Sequence, residues 1–195
     1  VGPNHYVEMV NLTFAVYSKT GTRLLGPVDL GALWANFPIE DCTDESGDAI
    51  VLYDQTADRW LLTQFTTRGL NAATPTAPFY NCVAVSQTGD PTGAYYRYAF
   101  ITQADEEDGG YFFPDYPKYG VWKDSYIITT REFGIQDESI YGIGVYGLER
   151  DHLPVQRRHL RVVPGKQDRP VIGEQHELRP TGEVRPDLVV RSDPE

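Results

Sequence analysis

The sequence predicts an all-β fold of antiparallel strands, which form a sandwich, a barrel or a propeller. A hairpin-like unit recurs along the chain, and Phe65, Phe100 and Phe133 within it are 35 and 33 residues apart. A fixed period of this size is typical of repeat architectures. The apolar runs are β-branched and aromatic and lack a 3.6-residue period, so they favour strands over helical repeats. No long amphipathic helix is evident before residue 148.

The first segment, residues 5–26, predicts a β-hairpin with its turn at Ser18–Thr22. Gly26–Pro27 is expected to end the return strand, because this pair usually interrupts regular structure. Residues 28–37 are expected to form one helical turn or an apolar loop.

Each of the three repeats combines an apolar strand, a turn rich in Asp, Gly or Pro, and a return strand that begins with an aromatic residue. Asp side chains accept backbone N–H groups in such turns, glycine adopts positive φ, and the aromatic ring is expected to pack under the turn. A fourth apolar segment, residues 140–148, predicts another strand. The residues given a structural turn role are Asp58, Trp60, Asp90, Gly93, Tyr95, Asp124 and Tyr126.

Composition divides the chain near residue 151. Residues 1–146 carry 8 Lys and Arg against 19 Asp and Glu and include every aromatic residue, whereas the remainder has 9 of each charge. We therefore expect a repeat region at 1–151 and an extended or disordered tail at 152–195. The alternative is a tail that folds back as one or two edge strands through residues 160–163 or 188–190.

The charge argues against nucleic-acid binding, and the hydropathy argues against a membrane-spanning helix. A pI near 4.7 makes the chain a poor nucleic-acid binder, because phosphate contacts require clustered Lys and Arg. The sequence contains no apolar stretch of the length that a membrane-spanning helix needs.

The two cysteines, Cys42 and Cys82, favour a disulfide between adjacent repeats, which indicates an oxidising compartment. Two free buried thiols are the alternative. Without a nearby pair of histidines they do not make a zinc site.

Four segments carry a resemblance to secreted bacterial β-propeller proteins of the sialidase-like, Asp-box superfamily, over about residues 1–150. The segments are Gly2–Val7, Ile50–Leu62, Gly89–Tyr98 and Phe113–Trp122. The resemblance implies a partial or open β-propeller, with blades of four antiparallel strands around a central channel. It also implies an extracellular location and that the chain is part of a larger propeller. It is looser at the Asp-box itself, where Tyr95 replaces the expected Trp. None of the arginines in residues 1–146 has the sequence context of the sialidase arginine triad, so no sialidase residue is carried over.

Two functions follow as expectations. The first is an extracellular binding or scaffold module for a glycan or another protein, in which aromatic side chains form the contact surface, with core and turn packing as the alternative role for most of them. The candidate residues are Tyr95, Tyr96, Tyr98, Tyr111, Tyr116, Tyr119, Trp122 and Tyr126. The runner-up is a glycoside hydrolase-like enzyme that uses two carboxylates, for which Asp48 and Asp115 hold equivalent repeat positions, with Asn81 in the third.

No cofactor is expected, except that calcium could bind through Asp105, Glu106 and Asp108, where a solvated loop is the simpler interpretation. An open propeller would also leave strand edges through which the chain could self-associate.

Overall fold

A computed structural model of the chain describes residues 1–71, 73, 78–102, 112–135 and 140–150, and two short strands at 165–166 and 169–170. The fold is all-β with antiparallel sheets, as the sequence predicts. The chain divides into two compact units. The described part of the first contains residues 1–66 and 81–100, and that of the second contains residues 67–80 and residues from 101 onward.

The first unit begins with a three-stranded antiparallel sheet of β1 (His5–Val10), β2 (Thr13–Ser18) and β3 (Arg23–Asp29). The predicted single hairpin over residues 5–26 is therefore wrong in one respect, because the chain also turns at Asn11–Leu12. Gly26–Pro27 does not end β3 either. The strand continues to Asp29 through an irregularity in its pairing with β2. A 3-10 helix at Leu30–Trp34 provides the expected helical turn.

A four-stranded antiparallel sheet follows, with the order β4 (Ile50–Asp54), β5 (Arg59–Phe65), β6 (Tyr80–Ser86) and β7 (Tyr95–Ile101). The first two predicted repeats thus share one sheet, because the return strand of the first pairs with the first strand of the second. The central strands β5 and β6 are buried along nearly their whole length. Each therefore contributes both faces to the core of this unit.

The second unit contains a three-stranded antiparallel sheet with the order β10 (Ile140–Glu149), β9 (Ser125–Gly134) and β8 (Phe112–Val121). It joins the third predicted repeat to the predicted fourth strand. Burial alternates along β9, so that Tyr126, Ile128, Thr130 and Glu132 share a buried face. Alternate residues of a strand point to opposite faces, and the other face of this sheet is partly exposed.

The predicted tail, residues 152–195, lies outside the described residues except for the pair β11 (Gly165–Lys166) and β12 (Arg169–Pro170). One of the three larger sheets has four antiparallel strands, the number in a propeller blade, and the other two have three; the described residues do not form a closed propeller. None of the helices in the described ranges is long and apolar enough to cross a membrane.

Candidate functional site: the exposed face of the β8–β9–β10 sheet

The turn between β4 and β5 shows what the predicted turn residues do. Asp58 has a φ of 52° and its carboxylate accepts a hydrogen bond from the Tyr53 hydroxyl at 2.6 Å. Trp60 is fully buried and its indole N–H donates to the Gly89 carbonyl at 3.1 Å. A Cβ atom at Gly89, which lies between β6 and β7, would collide with the Asp58 carboxylate, so the two turns pack closely against each other. Both predicted residues support the turn: Trp60 is buried beneath it, and Asp58 stays exposed at its surface.

The other two predicted turns are built in the same way. Asp90 accepts the Thr92 backbone N–H at 2.9 Å, and Gly93 donates weakly to the Asp90 carbonyl. Tyr95 is buried beneath that turn and its hydroxyl donates to the Pro91 carbonyl at 2.6 Å.

In the third turn, Asp124 accepts the Ser125 hydroxyl at 3.1 Å, and Tyr126 is 1% exposed. Burial thus removes Tyr95 and Tyr126 from the set of aromatic residues that a ligand could contact.

The two carboxylates of the enzyme alternative belong to different units of the fold. Asp48 precedes β4 with a φ of 45°, and its backbone N–H donates to the Asn11 side chain at 3.2 Å. Asp115 lies inside β8 rather than at its start, and its carboxylate accepts the Tyr116 N–H at 2.7 Å. Each makes a local contact, and catalysis by this pair stays a prediction.

The calcium candidates Asp105, Glu106 and Asp108 lie outside the described residues. Within the described part of the chain, no group of three or more His, Cys, Asp or Glu side chains is arranged to hold a metal ion.

Cys42 and Cys82 form a disulfide that ties the 3-10 helix at Glu40–Thr43 to strand β6. The neighbouring Gln64 is fully buried, and its amide donates to the Cys42 carbonyl at 2.6 Å and to the Asp44 carbonyl at 3.1 Å. The disulfide and the glutamine therefore fix the same loop against the four-stranded sheet.

The remaining aromatic candidates divide by exposure. Trp122 is 68% exposed and Tyr116 is 55% exposed, which makes them the two most exposed aromatic side chains among the described residues. Tyr111 lies outside the described residues. Single exposed apolar side chains are ordinary at protein surfaces, so Trp122 indicates a contact surface only in combination with the residues around it.

Strand register shows which residues surround Trp122. Gly120 on β8 and Gly147 on β10 both pair with Ile127 on β9, so the three form one row across the sheet. A Cβ atom at either glycine would have no described heavy atom within 4 Å. Trp122 lies directly after β8, two residues beyond Gly120, and its backbone N–H donates to the Ser125 carbonyl at 2.8 Å across the β8–β9 turn. We call Gly120, Trp122, Ser125, Ile127 and Gly147 the Trp122 face.

Polar side chains lie around this face. Lys118 pairs across the sheet with Thr129, one row from Gly120 and Ile127, and its ammonium lies 4.2 Å from the centre of the Tyr116 ring. The Arg150 N–H donates to the Asp124 carbonyl at 2.8 Å, which fixes the end of β10 against the β8–β9 turn. An aromatic ring beside an open, glycine-lined row with hydrogen-bonding groups at its edge can hold a flat, partly apolar and partly polar ligand.

The buried face of the same sheet contains a carboxyl group that the sequence analysis missed. Glu132 is 5% exposed and accepts the Thr130 hydroxyl at 2.5 Å through Oε1. The Tyr146 hydroxyl lies 3.2 Å from the same oxygen, but only 2.6 Å from the Thr102 carbonyl. Burial raises the pKa of Glu132 to about 7, although the hydrogen bonds from Thr130 and Tyr146 oppose the rise.

The signal for Glu132 was present in the sequence. Tyr126, Ile128, Thr130 and Glu132 are spaced by two, which places the glutamate on the same side of the strand as the aromatic and aliphatic residues.

Comparison of the chain with protein-family models, with curated proteins and with solved structures gave no match.

Proposed function

We propose that this protein is an extracellular binding module and that the Trp122 face binds a carbohydrate. The observation that carries the proposal is the exposed Trp122 ring, which follows the end of β8 two residues after the open row of Gly120, Ile127 and Gly147. A sugar ring has an apolar C–H side that stacks on an indole and hydroxyl groups at its edge that need polar partners. Lys118, Ser125 and Thr129 offer such partners within two rows of the ring.

The disulfide between Cys42 and Cys82 supports the extracellular location, because disulfides persist in oxidising compartments. The acidic composition also favours a neutral ligand over a polyanion. A protein partner is the other ligand class that an exposed tryptophan could serve, and the experiment below distinguishes the two.

The three tryptophans allow a direct test. Trp34 and Trp60 are fully buried and Trp122 is exposed, so iodide quenching of tryptophan fluorescence reports mainly on Trp122. We expect a binding glycan, identified on an array of neutral oligosaccharides, to protect this fluorescence from iodide. Trp122→Ala should lower the affinity about tenfold or more, because it removes the stacking surface.

Tyr6→Ala is the control, since Tyr6 is another exposed aromatic side chain, 42% exposed, and belongs to the first unit. It should leave glycan affinity unchanged. Equal losses in both variants, or glycan binding that leaves Trp122 open to iodide, would contradict the proposed site. If the chain binds a protein and no glycan, the Trp122 face would be assigned to protein binding instead.

A further inference from the structure

We propose that Glu132 is a proton-operated switch in the β8–β9–β10 sheet: the protonated side chain holds the buried face together, and release of its proton to solvent loosens it. The inference is independent of the carbohydrate proposal, because it concerns the opposite face of the sheet. It rests on the two hydrogen bonds of one buried carboxyl group, on its unpartnered second oxygen and on its close approach to Gly144.

The first step concerns the hydrogen bonds that an ionised Glu132 would have. A buried carboxylate needs several donors, and here Oε2 is buried with no hydrogen-bond partner among the described residues. Oε1 has the Thr130 hydroxyl at 2.5 Å. The single hydroxyl hydrogen of Tyr146 has its shorter contact with the Thr102 carbonyl, so it contributes little to the carboxylate. The negative charge is therefore poorly solvated.

The protonated form fits the same geometry better. With the proton on Oε1, the carboxylic acid donates to the Thr130 or Tyr146 hydroxyl oxygen, and Tyr146 continues to donate to Thr102. Oε2 then becomes a neutral carbonyl oxygen, whose burial costs much less than that of a charged one.

The surrounding strands leave the carboxyl little room to move toward water. A Cβ atom at Gly144 would collide with Glu132 Oε1 and Thr130 Oγ1, which shows that the carboxyl fills the space above that glycine. Glu132 pairs with Pro114 on β8 and Gly142 on β10, and neither provides a side-chain donor.

No described cation on this face compensates the charge. Tyr146 is the titratable neighbour of Glu132, and burial together with Glu132 raises its pKa, so it stays neutral. Tyr119 and Tyr126 lie on the same face of the sheet as Glu132. Along β9, however, Tyr119 pairs with Ile128, four residues from Glu132, and Tyr126 is six residues from it. Asp115 and Arg131 lie on the opposite face by strand alternation.

The direction of the pH effect follows from linkage. Between the ordinary glutamate pKa of 4.5 and a folded pKa of about 7, the folded chain keeps a proton that the unfolded chain has lost. The stabilisation is therefore complete below pH 4.5, declines as the pH rises, and is absent above about pH 7.

The test is a carboxyl ¹³C NMR titration combined with amide hydrogen exchange. In the wild-type protein we expect the Glu132 carboxyl to titrate near neutrality. After correction for base catalysis, protection of the β9 and β10 amides should fall by roughly 100-fold between pH 5 and pH 8. Glu132→Gln, which is neutral at every pH, should remove most of this fall, and Glu8→Gln, at an exposed glutamate of β1, should retain it.

A Glu132 carboxyl that titrates below pH 5 overturns the proposal, and so does an unchanged pH dependence in Glu132→Gln. If that variant does not fold, the wild-type carboxyl titration alone decides between the two results.

Discussion

At the residue scale, Gly144 is the position where a single methyl group tests the packing around the buried carboxyl. A Cβ atom there would collide with Glu132 and Thr130 and would lie 2.9 Å from the Tyr146 ring. We expect Gly144→Ala to lower the free energy of unfolding by about 1–3 kcal/mol, as overpacking in a core does. Urea unfolding at pH 5, where Glu132 keeps its proton, is the measurement.

Gly147→Ala is the matched control on the same strand, three residues further along. Its Cβ would lie in open space, so the change should stay within about 0.5 kcal/mol of the wild type. Similar losses in both variants would mean that any side chain weakens β10, and that the contact of Gly144 with the carboxyl has no special role.

The residue scale is also where sequence reasoning was weakest. Asp58, Asp90 and Asp124 follow turn chemistry that depends on a few neighbours along the chain, and that chemistry is readable from sequence. The surroundings of Glu132 include Thr130 on the same strand, Tyr146 on β10 and the Thr102 carbonyl directly after β7, and these residues are far apart in the sequence. A glutamate in a strand is ordinarily expected to face water, so spacing alone did not identify it.

At the element scale, the disulfide between Cys42 and Cys82 joins a short 3-10 helix to strand β6 across 40 residues of sequence. Replacing both cysteines with alanine should cost about 3–5 kcal/mol, because the unfolded chain regains the freedom of a closed loop of this length. Thermal or urea unfolding with and without a reductant measures the loss.

The reductant provides the control for this prediction. It should destabilise the wild-type protein and leave the double alanine variant unchanged. A wild-type protein that unfolds at the same urea concentration with its disulfide reduced would show that Gln64, which donates to the Cys42 carbonyl, holds the loop without the bond.

Elements were predictable where local signals agreed. The strands β4 to β10 follow β-branched and aromatic runs separated by Asp, Gly or Pro turns. The turn at Asn11–Leu12 was missed because it has no glycine, although Leu12 has a φ of 78°. Gly26–Pro27 was predicted to end the strand because local propensity takes no account of a partner strand. In the structure, pairing with β2 continues β3 past these two residues.

The same limit applies to sheet edges. β8 is the edge strand of its sheet and contains Pro114, Pro117 and a bulge between Asp115 and Lys118. Prolines, bulges and lysines are the devices by which natural edge strands resist pairing with another chain. Self-association through open edges, a proposal from the sequence, is therefore disfavoured at this edge.

At the scale of the whole molecule, two effects respond to pH in the same direction. The chain has a formal net charge of −11 at pH 7, so the repulsion between its negative charges decreases as carboxylates are protonated. Glu132 also stabilises the fold only while it keeps its proton. Many proteins are most stable near neutrality, but both effects shift the maximum of this protein toward acid.

Salt separates the two contributions. Surface repulsion is screened at high ionic strength, where the Debye length falls to a few ångströms, whereas a buried carboxyl is screened much less. We expect the melting temperature to be highest between about pH 4.5 and 6, with a decline toward pH 8 that persists in 0.5–1 M NaCl. In Glu132→Gln the remaining decline should disappear in salt, because only surface repulsion is left. A wild-type decline that salt abolishes would assign the whole pH dependence to surface charge and would leave the buried carboxyl without a thermodynamic effect.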